Sequence, residues 1–163
     1  MKRNVVVVAL ALAASAVAAT AAGDELFKAR LSGDQEAPPG GPVLTDTTGR
    51  FEVHLSKDQQ SAEFTLRVDS GTRVTQAHFH CGPAGVNGPI IIFLAGFHPQ
   101  GWDVDGKWVS DTTITNANIV NTTCGTTLAA IFEQARAGNV YVNVHSVDHP
   151  SGVARGQLEP TGK

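Results

Sequence analysis

The chain has 163 residues, 42% of them hydrophobic and 17% charged, enough for one ordinary core and short of two. A formal net charge of −3 argues against a nucleic-acid-binding face. With 17 glycines and 8 prolines against few aromatics, the composition suits a protein of many turns.

Met1–Asn4 is basic, Val5–Val17 is apolar, and Ala19-Thr20-Ala21 is a small-residue cleavage signature. That pattern predicts a secretory signal peptide over residues 1–22 and a single mature domain over residues 23–163. The apolar run is short for a membrane span and no second one follows. The expected product is periplasmic or secreted, with no membrane attachment once the leader is removed. Loss of Lys2 and Arg3 leaves it more acidic than the whole chain.

Leu26–Leu31 alternates, with Phe27, Ala29 and Leu31 on one face, and predicts a half-buried strand. Ser32–Gly49 is a loop centred on Pro38-Pro39-Gly40-Gly41-Pro42. Arg50–Ser56 and Ser61–Asp69 alternate around the hairpin turn Lys57–Gln60, and Ser70-Gly71-Thr72 is expected to turn into a further strand, Arg73–His80. Pro89–Ala95 is a continuous apolar run, read as a buried strand. Gly96–Gly106 reads as a loop and Lys107–Ile114 as a strand. Thr126–Ala137 carries a helical stripe of Leu128, Ile131, Phe132 and Ala135, with Gly138 placed to end it. Val140–His145 and Val153–Glu159 complete the strands. The expected fold is all-β, an antiparallel Greek-key-like sandwich or open barrel with one short helix.

The two cysteines, Cys81 and Cys124, read as a disulfide in an exported chain. The alternative is a pair of free thiols, one of them a metal ligand.

His78 and His80 stand at i and i+2. On a strand both rings share a face, roughly 6.6 Å apart along it, within reach of one ion. His54, His78, His80 and His145 all alternate out of phase with apolar neighbours, and so belong to the outer face of their strands. His145 ends a later strand and joins the pair if the two strands are neighbours. His149 lies beyond that strand in a turn that can fold back as a fourth ligand. His54 and His98 are the other candidates for that position. Imidazole ligands suit copper, zinc or iron, and copper adds redox cycling. A blue-copper site lacks its thiolate and methionine. No Gly-x-Ser-x-Gly elbow or Gly-rich nucleotide loop is present, and Ser146, His145 and Asp148 are too close in sequence to form a triad. Arg155, in Arg155-Gly156-Gln157, reads either as a tie to a salt-bridge partner or loop carbonyl, or as a fixed cation near the metal. Asn143 and Gln157 are candidates to support the ligands.

Three stretches together resemble the CHRD domain: Leu31–Pro39, His78-Phe79-His80-Cys81-Gly82 through Asn87-Gly88-Pro89, and Tyr141–His145 with Pro150, Gly152 and Arg155-Gly156-Gln157. The resemblance implies an all-β sandwich. For some bacterial members it also implies a mononuclear copper protein that dismutates superoxide, resembling the copper half of Cu/Zn superoxide dismutase. His78, His80 and His145 then carry over as ligands of one copper ion, in preference to zinc, and Arg155 as the guide for the superoxide anion. Val153 and Ala154 depart from the Glu-Ile usual in the family, and no acid cluster for a second metal is present. Two other functions fit the same residues. One is a non-catalytic extracellular module that binds copper or a protein ligand, and the other is a structural zinc site.

Overall fold

The computed structural model describes residues 24–162; the predicted leader over residues 1–22 lies outside them. Strand alternation becomes structure directly in β1 (Glu25–Ser32) and β2 (Thr48–Leu55), which pair antiparallel from Glu25↔Leu55 to Ser32↔Thr48. In β2 Gly49, Phe51, Val53 and Leu55 are buried while Arg50, Glu52 and His54 are exposed, the period-2 signature of a sheet covered on one side.

The expected turn at Ser70–Thr72 does not break the chain. β3 runs without interruption from Ser61 to Cys81. Ser70 (φ 55°) and Arg73 (φ 48°) take left-handed backbone angles, and the pairing with β5 (Trp102–Thr115) shifts register on both sides of Gly71. Turn chemistry has produced bulges instead of a reversal, and bulges bend and coil a strand. As a result β3 pairs with β2 over Ala62–Asp69 and with β6 (Val140–Ser146) over Val74–Cys81.

That change of partner closes the sheet. β2 pairs β1, β1 pairs β7 (Ala154–Gln157), β7 pairs β6, β6 pairs β3, and β3 returns to β2. All these pairings are antiparallel. The expected all-β architecture is therefore present as a barrel, with β4 (Ile90–Ala95) and β5 added along β3, and the short β8 (Glu159–Pro160) along β1. β5 begins at Trp102, inside the segment expected to be loop, because its first residues find β3 as a partner at Val74.

The helix α1 (Leu128–Arg136) begins where Thr127 Oγ1 accepts from Ala130 N–H and is followed by Gly138 at φ 78°. It buries Leu128, Ile131, Phe132 and Ala135. Phe132 meets Phe27 at 4.8 Å and Phe79 at 6.5 Å, and Phe51 meets Phe64 and Phe79. This aromatic cluster fills the barrel, and the residue between the paired histidines, Phe79, belongs to it. Cys81 and Cys124 form the predicted disulfide, with Cα atoms 5.6 Å apart.

β6 departs from simple alternation: all seven residues are buried. Val140, Val142 and Val144 face the barrel interior as expected. Tyr141, Asn143 and His145 lie on the outer face, yet they too are shielded, Tyr141 by the segment that follows β3, Asn143 by that after β1 and His145 by the turn after β6. This covered outer layer holds the site.

Candidate metal centre

His78 and His80 leave β3 on the side opposite Phe79, and β6 presents His145 on that same outer face. Register sets their separation. His80 pairs with Tyr141, His78 with Asn143, and Gln76 with His145, so His145 sits diagonally ahead of His78 and not beside it. The register is regular from Gln76 to Cys81, and its only irregularity lies beyond His145, between Val74 and Gln76. The ring centroids are 5.5 Å apart for His78 and His80, 4.8 Å for His78 and His145, and 5.8 Å for His80 and His145. One ligand atom from each ring lies within 4.8 Å of the other two. The three rings predicted from sequence do converge.

Hydrogen bonds decide which nitrogens are available. His80 Nδ1 faces Gly88 O at 2.9 Å, and His145 Nδ1 faces Pro150 O at 3.0 Å. A carbonyl only accepts, so both Nδ1 atoms carry hydrogen and both Nε2 atoms keep a lone pair. His145 Nε2 lies 3.0 Å from His78 Nδ1. In the metal-free chain that contact is a hydrogen bond donated by His78. Two metal–nitrogen bonds of about 2 Å meeting at roughly a right angle span about 3 Å as well, so these two nitrogens also stand at ligand spacing. His80 Nε2 is buried without a protein partner, an orphaned acceptor that a cation would satisfy. Both carbonyls act as outer partners that orient a ligating imidazole.

Burial keeps the rings neutral. Desolvation pushes the His78 pKa down to about 3, with His145 and His80 adding repulsion, and the His80 pKa down to about 4. His145 is lowered as well, chiefly by burial. Neutral imidazoles with fixed lone pairs are what a metal ion requires, so the cluster can hold one. Phe93 packs edge-on against His78 at 4.8 Å and is itself about half exposed, forming one wall of the site.

The other histidines stand apart; among the described residues only His78, His80 and His145 meet. His149 was expected to fold back as a ligand. The turn does fold back, but it presents the Pro150 carbonyl to His145, while the His149 backbone N–H bonds Ser146 Oγ. His149 lines a polar surface cleft together with Asp103, Asp105 and Asp148. His54 pairs across to Glu63, at the far end of β3 from His78. His98 stacks on Trp102 at 4.1 Å, and its backbone N–H is bonded to Thr75 O.

Arg155 is on the covered face, opposite Asn143, and only 1% exposed. Its guanidinium donates to Pro83 O (2.8 Å), Val86 O (3.0 Å), Asn87 Oδ1 (3.2 Å) and Gln157 Oε1 (3.4 Å), and its Cζ lies 3.5 Å from the centre of the Tyr141 ring. Of its two sequence readings, the contacts made are those of the tie to loop carbonyls. Gln157 Nε2 in turn donates to Gly138 O at 2.7 Å, and Asn143 Nδ2 to Glu36 Oε2 at 3.3 Å.

Glu36 and Tyr141 are contributors that sequence reasoning passed over. Glu36 is 5% exposed, and burial raises its pKa to about 7 against the opposing effects of Asn143 and Arg155. Its only signal was its place in the Leu31–Pro39 stretch. Tyr141 stacks on His80 at 4.8 Å, nearly parallel, and its hydroxyl accepts from Gly88 N–H at 3.1 Å. Gly88 itself must be glycine, because a Cβ there would fall 1.6 Å from Cys81 O. That close approach is what brings the Gly88 carbonyl to His80.

A family model described as CHRD domain matches residues 27–158, a span that includes every residue of this layer. No curated protein and no solved structure matches the chain significantly.

Proposed function

The chain belongs to the CHRD domain family, and from that premise we propose that it is an exported protein that binds one copper ion through His78, His80 and His145 and dismutates superoxide. Two superoxide anions and two protons become dioxygen and hydrogen peroxide. A copper ion, when bound, supplies this by accepting an electron from one superoxide and returning it to the next. The observation that carries the reading is the convergence of three buried, neutral imidazoles, two of them oriented by backbone carbonyls. The Gly88 and Pro150 carbonyls hold the Nε2 lone pairs of His80 and His145 in place, burial keeps all three rings neutral and excludes bulk water, and His78 moves its Nδ1 hydrogen to Nε2 to ligate through Nδ1. Export is supported by the predicted leader and by the Cys81–Cys124 disulfide, which an oxidising compartment sustains. Among the described residues no helix is long and apolar enough to cross a membrane.

One observation favours a second reading, a copper-binding module without turnover. His78, His80 and His145 are 0%, 7% and 5% exposed, and the buried Arg155 offers an incoming anion no exposed charge.

One experiment separates the readings. Untagged protein isolated from its exported form is analysed for metal, and superoxide decay is followed with wild type and His78→Ala. One copper per chain, with dismutation abolished in the variant, is the expected result. Copper without dismutation establishes the binding module, and zinc or no stoichiometric metal overturns the proposal.

A further inference from the structure

Two of the segments that cover the outer face of the barrel are residues 33–47 after β1 and residues 82–89 after β3. Arg155 bonds the second directly, and through Asn87 it is linked to the first. Arg155 donates to Pro83 O and Val86 O in the second segment and to Asn87 Oδ1. Asn87 Nδ2 then donates to Ala37 O (3.2 Å) and Pro38 O (3.1 Å) in the first. Gly88, the next residue along, supplies the carbonyl that orients His80.

A second route runs through Tyr141. Its ring stacks on His80 and also receives the Arg155 guanidinium. β6 lies between β3 and β7, so His80 and Arg155 approach Tyr141 from opposite sides. The Tyr141 hydroxyl accepts from Gly88 N–H, which joins the two routes at one residue. His145 has no part in this network; its Nδ1 is held by Pro150 O, in a different turn.

We propose that Arg155 is a positioning residue for His80, acting through the 82–89 segment and Tyr141, and that it does not meet the substrate anion. The proposal rests on His80 being a metal ligand, as argued above. A guanidinium 1% exposed, with both terminal nitrogens bonded to loop and side-chain oxygens, presents almost no surface to a solute. Its planar, forked donor set is what satisfies two carbonyls and an amide oxygen at once, a pattern that a lysine ammonium does not reproduce.

The test compares Arg155→Lys, which keeps the charge, with Asn87→Ala, which removes one arm of the network and leaves the buried arginine in place. Two readouts are taken. One is solvent exchange of the imidazole Nδ1 protons of the metal-free protein, resolved by NMR. The other is Cu(II) affinity in competition with a chelating buffer. In Arg155→Lys the His80 Nδ1 proton is expected to exchange about tenfold faster or more while that of His145 is unchanged, and Cu(II) affinity to fall about 10–100-fold, as for loss of an outer partner. Asn87→Ala moves both readouts in the same direction by less. A folded Arg155→Lys with His80 exchange and Cu(II) affinity at wild-type values overturns the proposal and restores a role for the charge alone. If Arg155→Lys does not fold, Asn87→Ala with both readouts unchanged overturns it. If wild type fails to bind Cu(II), the copper reading falls, and the His80 exchange comparison still decides whether Arg155 positions that ring.

Discussion

Replacing Glu36 with glutamine tests the buried layer most directly. The Glu36 pKa is raised from 4.5 to about 7 by desolvation, so the folded protein holds that proton more tightly than the unfolded chain. The stabilisation is fully present below about pH 4.5 and is lost as pH rises through about 7. A shift of roughly 2.5 units corresponds to about 3 kcal/mol between the two limits. Two neighbouring acceptors, Glu36 Oε1 and Asn143 Oδ1, are buried without partners, so an ionised carboxylate has one oxygen, Oε1, that no donor meets, with Asn143 Nδ2 bonding only Oε2. Glu36→Gln keeps the shape and removes the titration. Urea unfolding of the metal-free protein and of Glu36→Gln, measured between pH 4.5 and 8.5, isolates this one group because every other titration is common to both. The glutamine variant should gain on wild type by about 3 kcal/mol across that range. Parallel stability–pH curves would refute the idea that burial holds Glu36 protonated.

The histidines act in the opposite direction. His78 and His80 have folded pKa values of about 3 and about 4, so from about pH 6.5 downward the unfolded chain binds protons that the folded one excludes. Metal-free Glu36→Gln should therefore lose several kcal/mol between pH 7 and 4, and His78→Ala should blunt that loss. Reducing the Cys81–Cys124 bridge, which spans 43 residues, should cost about 4 kcal/mol in the chain-entropy picture, read as a lower urea midpoint; an unchanged midpoint would remove the bridge from the account. Gly152 sits at φ 137°, and a Cβ there would lie 2.6 Å from both Glu36 carboxylate oxygens and from Asn143 Nδ2. Gly152→Ala should destabilise by about 2 kcal/mol or more, while a neutral effect in thermal unfolding would show that this wall is yielding.

Much of the frame was legible because it is local. Alternation in Leu26–Leu31, Arg50–Ser56 and Val140–His145 identified the faces of the strands, since side chains on a strand repeat every two residues. The helix around Phe132 followed from its 3.6-residue stripe and the glycine after it. His78, His80 and His145 were assigned to outer faces on the same argument. The Ser70–Thr72 segment went the other way: its residues favour a turn, but pairing of Gly71 with Val104 and of Val74 with Ser146 holds the chain extended through left-handed bulges. Tertiary pairing outweighed local preference there.

By itself the sequence determined which residues face out, which cysteines are available to pair and which imidazoles compete for an ion, because each follows from neighbours along the chain. Only the tertiary structure decided that the outer face is covered, that the His145–Gly152 turn offers the Pro150 carbonyl in place of the His149 ring, and that Arg155 is held by the loop over the site. Those outcomes depend on register between strands far apart in the chain, as between His78 and Asn143, and on the paths of the covering segments. No periodicity encodes either one: the first depends on bulges that shift pairing by single residues, the second on hydrogen bonds that form once the barrel has closed.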